Sequence, residues 1–176
     1  MSSYLLDTTL AMRRKLLGNE HPDVARSLGN LAGVLYVKGD YAGAEAVYRE
    51  ALGMRRKLLG NEHPDVADAL TGLGNLLVKR GDARPAEALL LEALHILEKA
   101  LPKGHPDIAE TQSALGGCLT ALERYHEAEP LLLESYGVLK SKTSEHSSAV
   151  RAAAERLVRL YEALGKPEQA TKYRGP

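Results

Sequence analysis

The sequence predicts an all-α fold, an α-solenoid of helix pairs stacked into a right-handed superhelix. Two observations predict it. The segment Arg13 to Ala25 returns unchanged as Arg55 to Ala67, an offset of 42, and a looser copy, Gly104-His105-Pro106-Asp107-Ile108-Ala109, follows at the same interval. A fixed period in this range marks stacked supersecondary units rather than a closed globule. Within the period, Val24, Leu28, Leu31 and Leu35 recur at spacings of four, three and four, the stripe of one helix face.

Each unit reads as two helices. The first opens at His-Pro-Asp, where proline is tolerated because its missing N–H would have no intrahelical partner. Asp23 follows at the positive end of the helix dipole. Gly39 closes the first helix as a residue able to take a positive φ. Asp40 and Tyr41 open the second, which buries Ala44, Val47, Tyr48, Ala51 and Leu52 and closes at Leu58-Leu59-Gly60. The register carries Gly39 to Gly81, Glu123 and Gly165, and Ala44 to Ala86, Ala128 and Ala170. Residues 1–176 are therefore expected to form one array: a lone opening helix over 2–17, full units over 22–59, 64–101 and 106–141, and a closing helix with a truncated last unit over 148–174. The unpartnered opening helix and incomplete last unit suggest a piece of a larger protein or assembly. The linker Ser141 to Ser148 lacks the apolar residues and the proline of earlier linkers, so the closing helix is expected to be the least firmly docked.

Composition narrows the function. Lys+Arg and Asp+Glu are both 23, a formal net charge of zero, which removes the electrostatic footprint of a nucleic-acid binder and the case for an anionic membrane surface. No apolar stretch approaches the roughly 20 residues of a bilayer span. The N-terminus lacks the basic and apolar regions of a signal peptide. Cys118, the only cysteine, cannot form an internal disulfide. A cytoplasmic protein is expected.

The residues Leu28, Leu31-Ala32, Leu35, Ala44 and Tyr48 resemble the tetratricopeptide pattern of a large residue, Leu-small, a large residue, then Ala-x₃-aromatic. So do Leu70, Leu73-Gly74, Leu77, Ala86 and Leu90. Gln112, Leu115-Gly116, Leu119, Ala128 and Leu132 match with one polar replacement, and the last unit, with Ala154, Leu157, Val158 and Tyr161, departs further. The period of 42 and the Leu-Gly-x-x-His-Pro-Asp-Val-Ala linker resemble the longer variant found in kinesin light chains and many bacterial repeat proteins. Ala32, Gly74 and Gly116 would let the helices of a pair approach closely.

Several motifs read more simply than they look. His-Pro-Asp at 21–23, 63–65 and 105–107 is the tripeptide of J-domain co-chaperones, but three copies at one interval are helix starts. Its histidines cannot share a metal: successive units are roughly 8–10 Å apart, and zinc needs ligands at about 2 Å. Gly116-Gly117-Cys118 and Gly29 with Gly33 lack the strand and the Gly-Lys-Ser/Thr ending of a phosphate loop. Cys118 reads as an inert buried thiol. Arg13-Arg14-Lys15 and Arg55-Arg56-Lys57 read as solvated complements of helix C-termini, the sharper alternative being a basic edge for acidic partners. No arrangement of catalytic side chains stands out, and no cofactor or metal is expected.

The resemblance implies that first helices line a concave, ligand-contacting surface. By register this groove takes Arg26, Gly29, Gly33, Tyr36 and Val37 from the first unit, and Asp68, Thr71, Asn75, Val78 and Lys79 from the second. The third gives Glu110, Ser113, Gly117, Thr120 and Ala121, and the closing helix gives Ala152, Glu155, Arg159, Glu162 and Ala163. Gly29, Gly33 and Gly117 are expected to widen it. Asn75 and Lys79 are the strongest peptide-binding candidates, since an amide both donates to and accepts from an extended backbone. The carboxylate clamp of chaperone-binding relatives has no counterpart, because Gly29 and Gly33 stand at its Lys and Asn positions and acidic Glu110 adjoins Asn75. The implied function is a non-enzymatic protein-protein interaction scaffold that binds a peptide or partner protein, with no nucleic acid and no membrane. The alternatives are a scaffold that self-associates through exposed solenoid ends, and a regulatory arm of a kinase or nucleotide-switch protein.

Overall fold

The computed structural model describes residues 3–144 and 147–174; Glu145 and His146 of the Ser141–Ser148 linker lie outside the described residues. Nine helices and no strand are present among them: α1 (Ser3–Leu17), α2 (Pro22–Lys38), α3 (Tyr41–Leu59), α4 (Pro64–Arg80), α5 (Ala83–Ala100), α6 (Pro106–Ala121), α7 (Tyr125–Lys142), α8 (Ser148–Ala163) and α9 (Pro167–Thr171). Each helix packs on its neighbours in sequence. The first helices α4, α6 and α8 also touch one another across units, α4 on α6 and α6 on α8, and so line one face of the solenoid.

The three His-Pro-Asp segments begin helices for one shared reason. His21, His63 and His105 are extended N-cap residues, and each Nδ1 accepts the backbone N–H of the aspartate two positions on, at 3.1, 3.1 and 3.2 Å. One otherwise orphan helix donor is thereby satisfied. The first helices end equally alike. Gly39 N–H bonds Tyr36 O and Asp40 N–H bonds Leu35 O, the paired closure of a left-handed cap. The same pair of bonds recurs at Gly81, Glu123 and Gly165. Glu123, at φ 61°, is the one non-glycine residue with a positive φ among the described residues.

Packing follows the stripe read from the sequence. Val24, Leu28 and Leu31 are buried, as are their register equivalents Val66, Leu70 and Leu73. The small residues are spacers: a Cβ on Gly74 would lie 2.7 Å from Leu90 Cγ, and one on Gly116 2.6 Å from Leu132 Cγ. Cys118 is buried with Sγ 3.1 Å from Ala83 O, and burial pushes its thiol up to about 11, which keeps it protonated and unreactive at neutral pH. The closing helix α8 is capped by Ser147 Oγ and buries Val150, Ala153, Leu157, Leu160 and Tyr161. Tyr161 donates to Glu129 Oε1 at 2.9 Å and stacks on Tyr173, centroids 5.9 Å apart. These contacts dock α8, and hydrogen exchange across the array reads how firmly it is held relative to the other helices.

Candidate functional site: a divided concave groove

The concave face holds two cavities that meet at Asn75. The upper one, 460 Å³, lies along the N-terminal halves of α4 and α6; the lower one, 820 Å³, lies along their C-terminal halves and against α8. Arg156 of α8 forms the divide. Its Nη1 donates to Ser113 Oγ and its Nη2 to Asn75 Oδ1, both at 2.9 Å. The strut therefore ties α8 to α6 and, across two units, to α4. It fits because Gly117 lacks a side chain: a Cβ there would lie 3.0 Å from Arg156 Cδ.

The upper compartment is acidic. Asp65, Asp68, Asp107 and Glu110 line it with one cation, Arg55. Arg55 is 7% exposed, and its Nη1 donates to Asp65 O at 2.6 Å and Asp68 Oδ2 at 2.5 Å. Gly29 makes room for it, since a Cβ would sit 3.0 Å from Arg55 Nη2. Tyr48 lies against Gly72, and burial with the field of Asp68 pushes its phenol up to about 12. Glu110 is exposed, yet neighbouring side chains displace enough water to raise its carboxyl above the usual range; Arg156 opposes that shift and Asp68 and Asp107 add to it.

The lower compartment is basic and aromatic. Lys79, Arg156 and Arg159 line it with one carboxylate, Glu155. Tyr36 and Tyr41 form a tilted pair, centroids 5.9 Å apart, and burial raises the Tyr36 phenol while Arg156 lowers it. Lys79 and Arg159 are exposed and make no hydrogen bond or ion pair among the described residues. Arg156 makes no ion pair there either, and its acceptors are both neutral. Burial lowers its pKa, opposed by the fields of Glu110 and Tyr36. A guanidinium stays charged regardless, so this is an enclosed cation without a direct counter-ion.

The sequence-predicted groove residues divide accordingly. Tyr36, Lys79, Thr120, Glu155 and Arg159 line the lower compartment, Asp68, Thr71 and Glu110 the upper, and Asn75 both. Three depart from an open groove. Arg26 lines neither compartment and pairs with Asp23 at 2.5 Å. Thr71 is buried, its Oγ1 3.1 Å from Thr111 Oγ1. Ser113 is fully buried beneath Arg156. Gly29 and Gly117 do not widen free space; each admits an arginine of the same chain. Arg156 itself was missed, although its spacing of four from Ala152 and three from Arg159 puts it on the same helical stripe. Arg55 was read as solvated and is instead buried against the groove.

Several of the outer cations are already matched. Arg14 pairs with Glu50, Arg56 with Glu92, Lys57 with Glu20 and Lys99 with Glu62, at 2.5 to 2.6 Å. Neutralised pairs leave little field for an acidic partner, which weighs against a basic edge. Among the described residues no group of His, Cys, Asp and Glu comes together as a metal site, and no helix is long and apolar enough to cross a membrane.

The tetratricopeptide repeat family model matches residues 2–57 and 24–99, more than half of the chain. The chain belongs to the tetratricopeptide repeat family. The repeats share their fold with a Podosopora anserina structure titled for kinesin light chain "nearly identical TPR-like repeats", at 24% identity, TM-score 0.71, covering 97% of this chain and 81% of that one. They also match BtubC (BKLC) from P. vanneervenii, 18% identical, TM-score 0.74, over 97% and 68% of the two chains. The apo form of RapI matches at 16% identity and TM-score 0.70, over 98% and 68%. These likenesses establish a tetratricopeptide solenoid of kinesin-light-chain-like form. No curated protein matches the chain.

Proposed function

We propose that this tetratricopeptide array is a non-enzymatic interaction scaffold, acting in the cytoplasm as part of a larger assembly, which holds an extended segment of a partner protein on its concave face. The observation that carries this reading is the lower compartment: 820 Å³ of open groove, walled by an aromatic pair and by Lys79 and Arg159, cations with no hydrogen-bond or ion-pair partner among the described residues. Side chains fixed on rigid helices with unused donors are suited to recognition. The fold alone assigns no partner.

The test is steric. Ala121 is exposed and lines the lower compartment, so Ala121→Trp fills the groove without altering charge. Lys57→Trp places the same bulk on the outer face. Capture of partners from a native lysate should fall at least about ten-fold with the inner change, given the roughly 1.4 kcal/mol that such a factor represents. It should persist with the outer one. Loss with Lys57→Trp and retention with Ala121→Trp would move the site off the groove.

A further inference from the structure

Resting on the concave-groove reading, we infer that the groove fixes the direction of its occupant, an extended peptide segment with acidic residues at one end, over the lower compartment, and basic residues at the other, over the upper. The two compartments meet at Asn75 and carry opposite charge. Asp65, Asp68, Asp107 and Glu110 outnumber Arg55 on one side of the strut, and Lys79, Arg156 and Arg159 outnumber Glu155 on the other. The imbalance is local, because the whole chain is neutral.

Each compartment has unmet electrostatic demand. Arg156 spends two of its five N–H donors on neutral acceptors and has no carboxylate at ion-pair distance among the described residues. Arg156 is half-buried, so solvent compensates its charge only in part, and an incoming carboxylate would supply its counter-ion. In the upper compartment the one cation is already engaged by Asp68 and Asp65. The other carboxylates, Asp65, Asp107 and Glu110, line the same wall without a cation of their own among the lining residues; Glu110 is raised chiefly by desolvation, with smaller additions from the fields of Asp68 and Asp107. A Lys or Arg side chain entering there offsets that negative charge; a further carboxylate adds to it. Reversing the segment would put like charges together at both ends.

The experiment is selection of random linear peptides displayed on phage, with the purified chain as bait. Enriched peptides should carry Asp or Glu toward one end and Lys or Arg toward the other, in one chain direction only. On Lys79→Glu with Arg159→Glu, two exposed positions where helical content should not change, the acidic enrichment should fall about ten-fold while the basic enrichment stays. Winners with no charge preference, with both directions equally, or with one charge throughout overturn the inference. If such winners are still displaced by Ala121→Trp, the groove remains the binding site and only its polarity is refuted. If they are indifferent to Ala121→Trp, or nothing is enriched, the groove reading falls and this inference with it.

Discussion

Arg156 and Asn75 stand 81 positions apart in the chain and 2.9 Å apart in space, the guanidinium donating to the amide oxygen. The contact joins the second unit to the closing helix and sets where the groove divides. Arg156→Met keeps the stem over Gly117 and removes both hydrogen bonds. A bond from a charged donor contributes about 1.5–3 kcal/mol, but the variant also relieves a half-buried cation of part of its desolvation cost. A net loss of about 1–2 kcal/mol in urea unfolding is expected, with faster hydrogen exchange in α8. Unchanged stability and exchange would show that the strut does not hold the array.

Two glycines should respond in opposite senses. Gly74→Ala drives a Cβ to 2.7 Å from Leu90 Cγ and should cost about 1–3 kcal/mol as overpacking. Gly53 lies inside α3 with nothing within 4 Å of its Cβ direction. Gly53→Ala should stabilise by about 0.5–1 kcal/mol, the helix penalty of glycine. Thermal melts of the two variants measure both signs.

Glu123 occupies the left-handed cap that glycine fills in the other three units. An L-residue there costs roughly 1–2 kcal/mol, partly offset by the freedom glycine gains in the unfolded chain. Glu123→Gly should therefore stabilise by about 1 kcal/mol, read as a higher urea midpoint. A lower midpoint would show that the Glu123 side chain contributes more than its backbone costs.

Alkaline titration should separate the tyrosines. Tyr48 and Tyr161 are pushed up to about 12, Tyr48 by burial and Asp68, Tyr161 by burial and its bond to Glu129. A folded-state pKa above the unfolded value near 10 means that the folded state holds the proton more tightly. Their contribution to stability is complete below about pH 10 and is lost as the pH rises toward 12. Tyrosinate absorbance should show a late step that Tyr161→Phe reduces, with alkaline unfolding beginning above about pH 10.

The sequence by itself determined the helical fold and its repeat. His-Pro-Asp, the Leu stripe and the cap glycines act within one helix or between adjacent ones, so a single period contains their physics. Helical spacing put Tyr36, Lys79, Thr120, Glu155 and Arg159 on shared faces of their helices, and the resemblance to tetratricopeptide repeats implied that this face lines the groove, where the lower compartment has them. The tertiary structure alone decided how that face is used. Superhelical stacking brings the closing helix to the second unit, so Arg156 meets Asn75 and Ser113, Arg55 turns inward to Asp68, and Gly29 and Gly117 make room for arginines rather than for a ligand. No local period encodes a contact spanning 81 positions; it follows from the accumulated rotation of the units between its ends.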